Sequence, residues 1–427
     1  MRLWPTGGLW RHRDFLRLWA GQIVSAFGSR ITRTALPVIA VVSLSGSPME
    51  VAILAALTTG PGVLVGLSAG GRVDRARKRS ILIGADLVRA AAVATLPLAT
   101  WAGALTVAHV YAVAIVVGAA TALFEITYVA YLPALVSTRQ VLEGNQKLQA
   151  SEAIAEITGP GAGGVLIGVL GAPLAVLIDA ATYVWSAACI GAIRRAEPPA
   201  APADETTSWR RDLAVGARAS FGHPLVRPLF LAAGVGIFFL GFFLALYMLY
   251  ALEELDLGTA TIGVVIGFGG VGGLAGAALS RRLPRALGLG PAMITSLFAA
   301  QLAGLCIPLA GSALVPSSAT VPLLVLHQLV GDGLMVAFAI HAVSLRQTVM
   351  PRALLGRVDA TLHVVTGTLL PLGALTAGPL AELLGVRTTL LIGQVGGLLA
   401  PLILLLSPLR RLHRMPPPAD GHDDETT

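Results

Sequence analysis

The chain is a succession of long apolar runs separated by short charged hinges. Twelve runs stand out, near 19–44, 49–70, 80–101, 106–133, 146–169, 173–194, 225–251, 258–280, 289–311, 320–345, 357–384 and 387–408. A helix that crosses a bilayer needs about 20 mostly apolar residues, and each run meets that length. Only 12% of the 427 residues are charged and the mean hydropathy is +0.78. A soluble domain carries roughly 25% charged residues, so a water-soluble globular fold is excluded. The sequence predicts an all-α integral membrane protein with twelve transmembrane helices.

The basic residues set an orientation. Of the 30 Lys and Arg, Arg30, Arg33 and Arg89 fall inside runs. With twelve spans, Arg387 stands alone on one side and the remaining 26 share the other side with both termini. Cytoplasmic loops carry the excess of Lys and Arg, which predicts cytoplasmic N- and C-termini. The net charge of +7 then reflects membrane topology, and no nucleic acid partner is expected. The start, "MRLWPTGGLWRHRDFLRLWAG", lacks a cleavage pattern and reads as a cytoplasmic segment (1–18) followed by a retained first span. Cys189 and Cys306 each lie in an apolar run and read as small buried hydrophobes. No metal or redox motif follows from two cysteines.

The chain divides into six spans (19–194), a linker (195–224), six more spans (225–408) and a tail (409–427). The linker begins rich in Pro, Ala and acids, then turns to "SWRRDLAVGARASF", which predicts a short interfacial helix. The polar, acidic tail reads as disordered. The halves repeat weakly. Residues 142–178 resemble 355–392, with Gly144 and Gly356 aligned at an offset of 212 and Gly171 and Gly385 at 214. The hinge "GGRVDRARKRS" at 70–80 has a worn counterpart, "GAALSRRLPRALGLG", at 276–290. Two repeated six-helix halves place a binding site at their interface near mid-membrane.

Several residues carry chemistry. Charges inside a membrane are costly and mark candidate functional positions. Arg30 and Arg33 are three apart in the first span with no acid nearby in sequence, so Glu125, Glu152 or Glu156 are their expected partners. Glu152 and Glu156, four apart, share a face, repel, and predict one shared proton. Asp86 and Arg89 are placed to pair with each other. Asp332 lies roughly 17 Å from the outer end of its span. His327, Phe338 and His341 share one face at ideal helical spacing, and a histidine there serves either a proton relay or a helix–helix hydrogen bond. Asp179 and His363 are weaker candidates. In "GPGAGG", Gly159, Pro160, Gly163 and Gly164 allow close helix packing. Phe238 and Phe242, like Phe239 and Phe243, form a stripe that serves packing or an apolar ligand. No nucleotide-binding loop, Ser-His-Asp set or metal set is present, so neither an enzyme nor a cofactor is expected.

These motifs together resemble the major facilitator superfamily. The 70–80 hinge matches its signature with Gly70, Asp74, Arg75, Lys78 and Arg79, although Arg77 replaces the usual Gly. "GPGAGG" resembles the antiporter signature of exporter branches. With "YLPALV", "GNQKLQAS" and "SLRQ…LLGRVDAT…PLGAL", the chain is similar to a bacterial drug- and siderophore-exporter subgroup that includes macrolide efflux proteins. The resemblance implies two pseudo-symmetric six-helix bundles in a bacterial cytoplasmic membrane, monomeric, moving a small molecule against protons by alternating access. It implies Glu125 as the coupling carboxylate, with Tyr128 beside it, and Glu156 and Glu152 as the next choice, although related exporters often carry a basic or amide residue there. It implies that the first and seventh spans line the cavity. Import, lipid or siderophore translocation, and a non-transporting scaffold are the alternatives. It also implies that Asp74 latches against the start of the eleventh span, near Arg357, in one transport state. Asp74→Ala is then expected to damage transport while leaving folding and ligand binding largely intact; normal transport by Asp74→Asn would remove the latch.

Overall fold

The computed structural model describes residues 8–137, 140–195, 197 and 209–419; within it, the side chains of residues 67, 69–72, 74 and 75 lie outside the description. Among the described residues the chain is all helix. The helices are α1 (Arg13–Val38), α2 (Pro48–Arg75), α3 (Lys78–Trp101), α4 (Val107–Leu135), α5 (Val141–Leu170), α6 (Ala172–Gly191), α7 (Trp209–Gly222), α8 (Val226–Leu249), α9 (Thr259–Leu279), α10 (Leu283–Leu287), α11 (Leu289–Gly304), α12 (Cys306–Ala310), α13 (Thr320–Leu326), α14 (Gly333–Val349), α15 (Arg352–Leu384), α16 (Val386–Gly397) and α17 (Leu399–Leu405). Eleven helical stretches among the described residues are long and apolar enough to cross a membrane. The expected first span, α1, is not among them. Its 26 residues are about 39 Å long, ample for a hydrocarbon core of about 30 Å, but Gln22, Arg30, Arg33 and several hydroxyls dilute its apolar face.

Local signals set the helix ends. Ser47 and Glu50 form a reciprocal capping box before Pro48 opens α2, satisfying N–H groups that no helical carbonyl reaches. His12 and Thr106 side chains accept from the first turns of α1 and α4. Gly171 (φ 79°) and Gly385 (φ 85°) end α5 and α15 and start the next helix at once. A left-handed turn of this kind favours a residue without Cβ, so the aligned Leu-Gly pairs are the same joint in both halves. Single π-turns follow α1 (Ile39–Ser43) and α8 (Tyr250–Glu254), and a third precedes α14 (His327–Asp332).

The chain forms two compact units. Unit 1 runs to Glu205 and includes Leu257–Val264; unit 2 comprises Thr206–Asp256 and the chain from Val265. In unit 1, α1 packs between α5 and α6, α3 lies on α6 and α4, and α2 lies on α4. The opening turns of α9 join this unit because a Cβ on Gly164 would stand 2.6 Å from the Gly263 Cα. Only paired glycines permit that approach. At the end of unit 1 that holds the N-terminus, Arg79 donates to the Ile190 and Gly191 carbonyls, and the Glu197 carboxylate accepts from the Lys78 and Arg79 amides. Nearby, Asp14 accepts from the amides of Arg194 and Arg195 and from Arg17.

In unit 2, α8 packs on α15, α16 and α17, α11 packs on α14, and α7 packs on α15. The predicted interfacial helix is α7; Asp212 accepts from Arg357 Nε at 2.8 Å. A core of Phe230, Met293, Leu297, Leu345, Val358 and Leu404 fills this unit. The chain beyond 408 departs from the expected disordered tail. Leu409 is fully buried, Leu412 and His413 accept from Gly290 and Leu289, and the Ala419 amide donates to Thr348. The apolar residues that precede the acidic end supply this packing; residues 420–427 lie outside the described residues, as does most of the Pro/Ala-rich linker.

Burial pulls the Asp14 carboxyl up, but the Arg194 and Arg195 amides and Arg17 outweigh it and hold the carboxyl below its ordinary 3.8. A depressed carboxylate contributes stability above its unfolded value that is lost as pH falls through the folded one. Asp14→Asn is expected to lower stability by about 1–2 kcal/mol near pH 7, measured by thermal unfolding in detergent. The gap from wild type should close as pH drops below the usual carboxylate range.

Candidate functional site

Unit 1 holds two charge clusters on opposite sides of α1. On the α5 side, the Arg30 stem lies against Gly159, where a Cβ would meet its Cγ at 2.6 Å. Arg30 Nη2 bonds Glu152 and stands 2.6 Å from Glu156; Arg33 Nη1 is 3.5 Å from Glu156. Arg30 is 8% exposed, whereas Arg33, Glu152 and Glu156 are 51–64% exposed. The two arginines and two glutamates balance. The Arg30 guanidinium lies between the two glutamates that share a face of α5. Gly163 meets Ile31 of α1, so Gly159 and Gly163 serve α1 while Gly164 and Pro160 serve Gly263.

On the α6 side lies a cluster that the sequence shows only in pieces. Arg89 pairs with Asp86 on the same face of α3. Its guanidinium lies between the rings of Phe124 and Tyr183, 4.4 Å from each centroid. Asp179 accepts from Thr32 of α1 and from Thr182 at 3.0 Å, and Tyr183 bonds Ser29 at 3.1 Å. Asp86 and Asp179 are fully buried and Arg89 is 4% exposed. Asp179, Thr182, Tyr183 and Ser186 follow helical spacing inside "LIDAATYVWSAACI". That polar stripe is the signal that could have found this cluster.

The remaining candidates are dispersed. Glu125 lies on the exposed side of α4, beside buried Phe124; Tyr128 stacks on Phe124 at 5.9 Å. Gly70, Asp74 and Arg75 fall in the last turns of α2, and the side chains of all three lie outside the described residues. Lys78 and Arg79 are engaged within unit 1 with Glu197 and the end of α6. Arg357, near the expected latch partner, binds Asp212. In unit 2, Asp332 ends the third π-turn and faces Gly269 and Gln328. That π-turn breaks the ideal spacing on which a shared face for His327, Phe338 and His341 depended. His327 meets Phe243, Phe338 joins the unit 2 core, and His341 lies against the Ser280 backbone. Phe242 is also displaced from the expected cavity role: it is 2% exposed and packed on Gly393 of α16. Phe238 remains half-buried in the ring cluster with Phe239 and Phe242. Among the described residues no group of His, Cys, Asp or Glu is placed to hold a metal.

Removing a buried guanidinium with two carboxylate partners costs more than removing an exposed one with a single long contact. Because Glu152 and Glu156 are more than half exposed, Arg30→Ala is expected to destabilise the protein by about 1–2 kcal/mol and Arg33→Ala by less than about 0.5 kcal/mol, read as separate shifts in thermal unfolding.

The chain is 26% identical over 409 residues to the multidrug efflux pump Tap of Mycolicibacterium fortuitum, covering 91% of this chain and 94% of that one. It is 28% identical over 180 residues to macrolide efflux protein A of Streptococcus pyogenes, covering 42% of this chain and 44% of the relative. In fold it is similar to a bacterial homologue of the iron transporter ferroportin (TM-score 0.72, 16% identity, 92% of this chain and 98% of that one). The nucleoside transporter NupG is similar to the same degree (TM-score 0.73, 14% identity, 92% and 98%). The family described as transmembrane secretion effector matches residues 8–422. With an all-helical, multi-span architecture in both units, the chain belongs to this transmembrane secretion effector family of the major facilitator superfamily.

Proposed function

We propose that the protein exports a drug-like or secondary-metabolite small molecule across a bacterial cytoplasmic membrane, driven by inward proton movement. The observation that carries this reading is the balanced Arg30–Arg33–Glu152–Glu156 cluster inside the spans of a secretion-effector fold. The efflux relatives support the direction of transport. The concentration of Lys and Arg on one side supports cytoplasmic termini.

The chemistry follows from the charges. Arg30 ties α1 to α5 through two carboxylates. Adding a proton to either glutamate weakens its hold on the guanidinium and loosens that seam, because a neutral acid binds a cation far less strongly. Glu125 on α4 is the carboxylate that takes up the proton in this scheme, and neutralising it changes which arrangement of the helices is favoured. A small molecule bound near mid-membrane then experiences alternating access as the two halves rock. Tyr128 and Phe238 offer aromatic surface to an apolar substrate. No second site for ATP is needed in this scheme, since the proton gradient supplies the drive.

Inverted membrane vesicles carrying the protein test this reading. Addition of an efflux substrate such as a macrolide is expected to trigger proton movement in wild type. Glu125→Gln should abolish that movement while retaining substrate binding. Proton movement unchanged by Glu125→Gln would displace Glu125 as the coupling acid, and none in wild type would end the proton-driven reading.

A further inference from the structure

We infer that Asp86, Arg89 and Asp179 form a buried binding site for a single proton in unit 1, separate from the Arg30 cluster. The inference stands apart from the export reading, because it follows from a charge count and from burial. Two carboxylates with no exposed surface share a cluster with one guanidinium that is 4% exposed; Asp86 pairs with it directly, and Asp179 is held by Thr32 and Thr182. Every element around them contributes only neutral groups. From α1 come Ser29 and Thr32, from α4 Phe124, and from α6 Thr182, Tyr183 and Ser186. The nearest other cation on α1, Arg30, is committed to Glu152 and Glu156 on the opposite side. With both aspartates ionised, the cluster would hold an uncompensated negative charge in an apolar interior. That state is far less favourable than taking up one proton from water, which converts a carboxylate to a neutral acid.

The polar atoms beside Asp86 are compatible with that proton. Asp86 Oδ2, Ser186 Oγ and Arg89 Nε are buried and lack hydrogen-bond partners. The Ser186 hydroxyl can donate to an ionised Oδ2 or accept from a protonated one, so it accommodates either charge state of the cluster. The site also spans a helix seam. Thr32 of α1 bonds Asp179 of α6, and a Cβ on Gly28 would meet Thr182 Cγ2 at 2.9 Å. Occupancy by the proton therefore sets the charge state of the α1–α6 contact, while Arg30 governs the α1–α5 contact.

Infrared spectroscopy of the full-length protein in lipid nanodiscs at neutral pH, with isotope-labelled aspartate, tests the proposal. An Asp332→Asn background removes the other intramembrane aspartate from the spectrum. One aspartate-derived protonated-carboxyl band is expected in this background. Asp86→Asn and Asp179→Asn should each remove it, because the remaining carboxylate then balances Arg89. Arg89→Gln should about double it. Absence of the band in the background protein overturns the proposal whether or not the further variants fold. Its loss in only one of the two Asn variants also overturns it, since the two acids then do not share the guanidinium.

Discussion

A charge taken into hydrocarbon must meet its opposite there, and much of unit 1 is arranged around that requirement. Arg30 and Arg89 are both nearly buried. Each is reached by carboxylates that no single helix could supply together with the rest of its setting. Arg30 needs two acids from α5; Arg89 needs Asp86 from its own helix, two rings from α4 and α6, and a hydroxyl scaffold shared with α1. Shifting either arginine off its partners would leave a buried guanidinium uncompensated, which is among the costliest defects a protein can carry.

The helix α1 is the common element of both arrangements. Successive residues turn by about 100°, so Arg30 and Thr32 point to different neighbours although they are two apart. Arg30 meets α5 across Gly159, and Thr32 meets α6 across the gap that Gly28 leaves. Its polar composition, which keeps it outside the set of clearly apolar spans, is the same composition that lets it bind both sides. A helix that is weak as a lipid-facing span is strong as an internal one, because its polar groups find protein partners.

Much of the fold was legible in the sequence. Apolar run length predicts the helices, and the repeated Leu-Gly pairs mark two joints that the structure shows as left-handed glycine turns. The sequence narrowed the partners of Arg30 to Glu125, Glu152 or Glu156, because so few acids lie within the spans, and left the choice among them open. Less was legible where local register changed. The π-turn at His327–Asp332 carries no strong composition signal, yet it inserts a residue's worth of rotation and separates side chains that ideal spacing places together. Phe242 read as a cavity residue for a similar reason: its burial depends on Gly393, 151 positions away along the chain.

The sequence by itself determined the environment: runs of apolar residues with few charges can be stable only in a bilayer, and the bias of Lys and Arg follows from crossing it. It also determined which residues are too costly to leave unpaired. Only the tertiary structure decided who pairs with whom. Glu197 holding the start of α3, Arg30 dividing two glutamates, and Thr32 binding Asp179 all bring together residues far apart in the chain. Such contacts depend on how helices pack face to face, and a linear pattern fixes the faces of a helix but not the neighbours they meet.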